Sequence, residues 1–279
     1  PDGYPYPTPV DFNSLDLKYY ALIDIANGHM KKLFTIAQKA KEKYGDKMIL
    51  MIGNIANPKT YKEFAKIGVD YVRLGIGNGA GCLTTQQTGV GYPMASLIKE
   101  TSEIKKKEGF NTKIVADGGF KKFSDINKAL ALGADYVMLG SIFNKALESA
   151  AETYLLDDDG KEVELHSFLD EMDEKYREVG SIGYKAKLGT KLLKAGKLYK
   201  NYRGMSTKEV QESWGKTIVK TAEGISKKQT VEYTLSGWCD NFKDYLASAM
   251  SYTNSLTLED FKSSQLKIIS ESALQRFNK

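Results

Sequence analysis

The chain of 279 residues is 42% apolar and 27% charged, the balance of an ordinary globular protein, and its net charge of +5 is too mild to argue for a nucleic-acid partner. No apolar run reaches the roughly 18 residues of a membrane span, and no signal peptide is visible. Two distant cysteines, Cys82 and Cys239, make a disulfide framework improbable and point to a reducing, cytoplasmic setting.

In chain order, residues 19–27 (YYALIDIAN) read as a buried strand. Residues 30–45 follow as a helix with Leu33, Phe34, Ile36 and Ala37 on one face and lysines on the other. A second strand spans 47–54, and Asn57-Pro58 opens a helix that ends at Gly68. Residues 70–77 form a third strand. The Gly/Thr-rich loop 75–93 comes next, then a helix over 94–109, whose Lys105, Lys106 and Lys107 read as a solvated end. A fourth strand covers 112–119, a helix N-capped by Ser124 covers 123–133, and a fifth strand covers 135–141.

Strand, loop and helix repeat with nearly continuous apolar strands, which means parallel strands covered on both faces. Polar and glycine residues collect at successive strand ends: Asp24 and Asn27, Gly53-Asn54, Gly75 to Cys82, Asp117-Gly118-Gly119, and Gly140-Ser141. An open doubly wound sheet would concentrate its ligand at one switch point. Five equipped strand ends favour a (β/α)8 TIM barrel, with about its last five βα units in this chain.

The second half is less regular. Residues 155–200 read as a charged helical excursion entered through the turn DDDGK, and NYRGMS breaks it. Residues 207–229 read as a mobile loop, 230–237 as one strand of a hairpin, and NFKDYLASAMSYTN and TLEDFKSS as helices. The resulting division is a lead-in (1–18), barrel units (19–165), a helical insertion (166–200), a flap with hairpin (201–237) and closing helices (238–279).

Cys82 lies among Gly, Ala and Thr rather than on a core stripe, as a reactive thiol would, although most free cysteines are small buried hydrophobes. GIGNG is not a dinucleotide fingerprint. At a strand end, Asp117 can hold two ribose hydroxyls. Gly118 and Gly119 let backbone N–H groups reach a phosphate, and Gly140-Ser141 could complete the cup; a plain βα turn is the bland alternative. Cys239 reads as a packing residue. His29 and His166 lack a zinc-ligand pattern.

Several of these motifs together resemble the IMP dehydrogenase/GMP reductase family. GIGNGAGCLTTQQTGVGYP resembles its catalytic cysteine loop. IVADGGF with DINKALALGADYVMLGSIF resembles its nucleotide-monophosphate site, YRGMS its base-contacting segment, and IDIANGH and Gly53-Asn54 its earlier strand ends. The resemblance covers most of 19–165 and about 197–260. It implies a thiolate that attacks C2 of a purine and hydride exchange with NADPH (or NAD). Cys82 would be the nucleophile and Thr84 the loop threonine that helps activate water or ammonia. Asp117 would hold the ribose, and Gly118, Gly119, Gly140 and Ser141 the phosphate. Tyr202, Gly204 and Met205 would contact phosphate or base. Asp24, Asn27 and Asn54 would lie by the nicotinamide, and carbonyls of Gly77, Gly79 and Cys82 would hold a monovalent cation such as K+.

The interval 207–229 has no arginine to serve as the dehydrogenase's flap base, no regulatory insertion is present, and AEGISKKQTVEY resembles the reductase segment whose glutamate handles ammonia. Glu223 would be that acid/base. The preferred activity is therefore reduction of GMP to IMP and ammonia. IMP dehydrogenase, or a non-catalytic nucleotide-binding protein, is the alternative. The expected partners are a purine nucleoside monophosphate and further copies of the chain, without nucleic acid or membrane.

The chain departs from the family at three places. Ala80 replaces the serine expected two residues before the cysteine, which removes a phosphate hydroxyl. About thirty extra residues occur near 166–196. Three barrel strands are missing ahead of Tyr19, and residues 1–17 are too few to form them. Because the chain begins at Pro1 rather than Met, a processed or split enzyme is expected, its barrel completed by an N-terminal fragment or a partner chain.

Overall fold

A computed structural model describes residues 18–156, 162–164, 198–204, 207–215, 223–264 and 266. Five parallel strands, β1 (Tyr19–Asp24), β2 (Met48–Ile55), β3 (Tyr71–Leu74), β4 (Lys113–Asp117) and β5 (Tyr136–Met138), lie side by side in chain order. Each is parallel to the next, with Ala21 opposite Leu50, Ile52 opposite Val72, Val72 opposite Ile114 and Ala116 opposite Val137. Sequential parallel strands joined by helices form an arc of a (β/α)8 barrel.

The helices cover one face of the arc. In α1 (Lys31–Tyr44), Leu33 and Ala37 are buried one turn apart, and Gly45 ends the helix at φ 50°. For α2 (Pro58–Lys66), the Asn57 side chain accepts from the Lys59 N–H while Pro58 occupies the first turn. A short α3 (Thr84–Thr88) precedes α4 (Met94–Glu108), which buries Leu97, Ile98, Thr101 and Ser102. In α5 (Phe123–Ala131), Asp125 accepts from the Lys121 and Lys122 N–H groups. The cap is therefore Lys122, and the expected N-cap Ser124 lies inside the first turn. Leu50, Ile52, Val72, Leu74, Ile114 and Ala116 fill the layer between strands and helices.

Two expectations change here. The strands at the ends of the arc are not covered on both faces, because β1 alternates half-buried with exposed residues. Lys106 and Lys107 are exposed as expected, but Lys105 pairs with the buried Asp135 at 2.6 Å.

After α6 (Ser141–Asn144), a second, antiparallel sheet forms in the order β7-β6-β8-β9, from β6 (Thr153–Leu156), β7 (Glu162–Glu164), β8 (Leu198–Arg203) and β9 (Ser226–Thr230). The ends of the expected helical excursion are thus strands, and its centre lies outside the described residues, as do 1–17 and Met205. The expected loop 207–229 contains α7 (Lys208–Ser213) and β9, so the hairpin strand begins at Ser226, not at Thr230. Helix α8 (Leu235–Tyr252) starts where that strand was expected to continue. Its Trp238 packs against Phe123, Phe143 and Phe242 at 5.0–5.5 Å between ring centroids, and α9 (Leu258–Phe261) follows. Half-buried Cys239 packs on the same core, in keeping with a packing role.

Candidate active site

The C-terminal ends of β1 to β5 converge at one mouth. Arg73, near the end of β3, is only 6% exposed and is the hub. Its guanidinium donates to the Asp24 carboxylate from β1 and to the Asn54 side-chain oxygen from β2, and its Nε lies 3.4 Å from Asp117 Oδ2 from β4. Asn54 Nδ2 donates to Asp117 Oδ2 at 2.8 Å and to the Gly75 carbonyl at 2.7 Å. Burial pushes the Asp117 carboxyl above its ordinary range. The Asn54 hydrogen bond and Arg73 pull it down, and Asp24 adds a smaller upward push. An arginine inside an apolar strand was not singled out from the sequence; a charge amid YVRLG was the available signal.

The cysteine loop is held from above by a distant segment. The Leu83 N–H donates to the Glu223 carbonyl at 2.6 Å and the Ile225 N–H to the Gly81 carbonyl at 3.0 Å, with Cys82 bridged to Gly224 between them. The Gly204 N–H in turn donates to the Ile225 carbonyl at 3.1 Å. These backbones are so close that a Cβ on Gly204 would stand 2.6 Å from the Gly81 carbonyl oxygen. Below, Gly118 adopts φ 95°, and a Cβ there would stand 2.9 Å from the Gly79 nitrogen. Glycines therefore let three loops meet around one thiol.

Cys82 is half-buried, and its Sγ lies 3.3 Å from Thr84 Oγ1, which donates to the Glu223 carboxylate. Thiol, hydroxyl and carboxylate form one line, so Cys82, Thr84 and Glu223 are brought together. Tyr202 belongs to the same cluster. Burial raises its phenol, the Gly81 N–H lowers it, and Asp117 and Cys82 raise it further. The Tyr202 hydroxyl lies 3.8 Å from where a Cβ on Gly140 would be, which brings Gly140 and Ser141, at the start of α6, beside it.

Gly140 and Tyr202 line a cavity of about 480 Å³ with Asn201, Arg203 and Ser149. Lys200, 1% exposed, donates to the Leu147 and Ser149 carbonyls at 2.9 and 2.6 Å and pins that wall; burial lowers its ammonium. Its place in LYKNYR gave no sign of this.

Asn27 is not drawn into the cluster: its side chain accepts from the His29 N–H at 3.1 Å. His29 Nε2 accepts from the Ala56 N–H, leaving Nδ1 to donate to Thr60, and burial lowers its pKa, so this imidazole braces a turn. No group of three or more metal-ligating His, Cys, Asp or Glu side chains occurs among the described residues. In the cysteine loop, the Gly79 carbonyl already accepts from the Cys82 N–H at 3.0 Å, which leaves it one lone pair for a cation. No helix among the described residues is long and apolar enough to cross a membrane.

A family model described as IMP dehydrogenase / GMP reductase domain matches residues 19–169. The inosine-5'-monophosphate dehydrogenase of Chlorobaculum parvum is 31% identical over 86% of this chain and 43% of its own length. A GMP reductase of Aliivibrio fischeri is 37% identical over 51% of this chain and 40% of its own. A crystal structure of a GMP reductase variant from Trypanosoma brucei in complex with guanosine 5'-monophosphate superposes with a TM-score of 0.70 at 21% identity, over 92% of this chain and 46% of that one. The chain thus spans less than half the length of these relatives.

Proposed function

The chain belongs to the IMP dehydrogenase / GMP reductase family, and from that premise we propose that its site performs reductive deamination of GMP to IMP and ammonia. One observation carries the reading: Cys82, Thr84 and Glu223 stand in a hydrogen-bonded line beside Asp117 and Tyr202. A thiol needs a way to lose its proton, and a leaving amine needs an acid. A hydroxyl shared between thiol and carboxylate serves both.

In this mechanism the Cys82 thiolate adds to C2 of GMP and the bond to the exocyclic amine breaks. Glu223, acting through Thr84, delivers the proton that lets ammonia leave. C2 must also gain a hydride, which a bound nicotinamide cofactor, NADPH by preference over NADH, would supply. The C2–sulfur bond then breaks, which releases IMP and restores the thiolate. Atoms and charge balance as GMP, one hydride and two protons yielding IMP and ammonium. Asp117, oriented by Asn54 and Arg73, would accept hydrogen bonds from the ribose hydroxyls. Gly118, Gly119, Gly140, Ser141, Tyr202 and Gly204 would surround the phosphate and base. Asp24, whose side chain is 56% exposed at the mouth, would face the carboxamide of the nicotinamide, with Asn54 beside it held by Asp117, Gly75 and Arg73. Carbonyls of Gly77, Gly79 and Cys82 would line a monovalent cation. Residues 201–237 would act as the flap over this site, and the helices from 238 onward as its closing elements.

The test is cofactor absorbance of the complete assembly with GMP plus NADPH, and with IMP plus NAD, using C82A as control. Turnover of GMP alone is expected. Turnover of IMP alone would assign the dehydrogenase instead, and nucleotide binding with neither turnover would leave a binding protein.

A further inference from the structure

Between the end of β3 at Leu74 and Cys82 the chain reads GIGNGAG, and Asn78 is the one residue of that stretch whose side chain can donate a hydrogen bond. Its Nδ2 is buried and has no hydrogen-bond partner among the described residues. Buried donors are almost always paired, and one left open costs free energy that is recovered only when an acceptor arrives. The surroundings select the acceptor. Asn78 lies against the turn that follows β4: its carbonyl oxygen is 3.2 Å, and its Cβ 3.7 Å, from where a Cβ on Gly119 would stand. Gly118 and Gly119 take φ 95° and 88°, and Gly119 is exposed, so a ligand can reach this turn. Glycines in such a turn can present successive backbone N–H groups to an anion. A cation is the wrong partner for an amide N–H, and an apolar group offers it nothing to accept with.

We propose that Asn78 is a phosphate-binding residue of this pocket, its side-chain N–H donating to a phosphate oxygen of the bound nucleoside monophosphate beside the backbone N–H groups of Gly118 and Gly119. Given the purine-nucleotide reading of the site, on which this assignment rests, the phosphate is the anion that the Gly118-Gly119 turn receives. A half-turn about χ2 exchanges the two ends of the amide, so the donor swings from its buried place to the ligand side at little torsional cost. A neutral donor facing a charged oxygen makes a charge-assisted hydrogen bond, stronger than a neutral pair. Ala80 and the glycines around it carry no side-chain donor, so Asn78 alone supplies one from this loop. Its contact is with the phosphate and not with the base or ribose. It therefore favours a monophosphate over a free nucleoside and leaves the purine to other residues.

The test measures binding of GMP by calorimetry, and of the weaker guanosine by ligand-observed NMR, without cofactor. The complete assembly is compared with its N78A and N78D variants, and the ligand-free Tm of each is recorded. N78A should weaken GMP about tenfold or more and leave guanosine within about twofold of the parent. It should not lower the ligand-free Tm, because it removes a donor that had no partner. N78D sets a carboxylate toward the phosphate and should weaken GMP about 100-fold or more, again sparing guanosine. Parent-like GMP affinity in N78A overturns the proposal. So does an equal loss for GMP and guanosine, or a fall in ligand-free Tm, since either marks a structural residue. A parent assembly that does not bind GMP overturns it as well. If N78A loses GMP selectively while the parent turns over no GMP, the reductase reading falls and this one stands. If GMP is reduced and N78A binds it like the parent, the reverse holds.

Discussion

Thr84 and Glu223, 139 positions apart in sequence, share a hydrogen bond from the threonine hydroxyl to the glutamate carboxylate. Backbone pairing of Leu83 with Glu223 and of Ile225 with Gly81 holds that contact in place. Replacing Glu223 by Gln keeps the shape and removes the proton carrier. E223Q should lower kcat about 100-fold or more and leave KM for GMP near the parent value. Steady-state rates followed through the cofactor absorbance check this, and an unchanged kcat would remove Glu223 from the mechanism.

Arg73 compensates two carboxylates and one amide oxygen from a position only 6% exposed. Arg73→Met fills the space without the charge and leaves Asp117 buried beside Asp24. The cost should be about 3 kcal/mol, discounted at the half-exposed Asp24 end, and Arg73→Lys should recover part of it. Urea unfolding midpoints measure both variants.

Asp135 is buried, accepts from the Ile114 N–H at 2.8 Å, and pairs with Lys105 at 2.6 Å and with Lys262 beyond α9 at 3.0 Å. Burial raises its carboxyl, but the two lysines and the Ile114 N–H outweigh it and bring the pKa below the ordinary 3.8. With the folded value depressed, its stabilising effect is fully present above the unfolded value and is lost as pH falls through the folded one. Asp135→Asn should therefore lower Tm at pH 7 and flatten the acid limb below pH 4. Thermal melts across that range decide it.

Ala80 stands where the family resemblance leads one to expect serine. Ala80→Ser returns a hydroxyl to the loop above Gly118 and Gly119. A hydrogen bond to a charged group is worth about 1.5–3 kcal/mol, so KM for GMP should fall about tenfold or more. A change in kcat without a change in KM would speak against a phosphate contact there.

Gly204 approaches Gly81 too closely for any side chain. Gly204→Ala should separate the two backbones, speed amide exchange at Leu83 and Ile225, and reduce kcat together with Glu223 positioning. Unaltered exchange at those two amides would mean that the contact between the two segments tolerates the methyl group.

Much of the arc was legible because its signals are local. Asn57-Pro58 starts a helix, Gly45 and Gly109 stop two others, and apolar runs bounded by polar strand ends mark β1 to β5. Asp117, Gly118, Gly119, Gly140 and Ser141 could be placed because each closes a strand or follows it within three residues, and Cys82 because it sits in the glycine-rich loop that leaves β3. The second half was less legible. β8 and β9 each satisfy their backbone through a strand far away in the chain, so SKKQT, with no apolar alternation, read as loop. The helix cap moved from Ser124 to Lys122 because the Asp125 carboxylate satisfies the free N–H groups from within the first turn.

The sequence by itself determined the parallel βα repeat and the strand-end residues, since periodicity and turn chemistry are written in neighbouring residues, and its motifs carried the resemblance to the family. Only the tertiary structure decided that Glu223 reaches Thr84, that Arg73 joins three strand ends, that Lys200 is buried beneath the cavity wall, and that Asn78 lies against the turn at Gly118 and Gly119. Each of these depends on how strands far apart in the chain are brought side by side, and no local propensity encodes that distance.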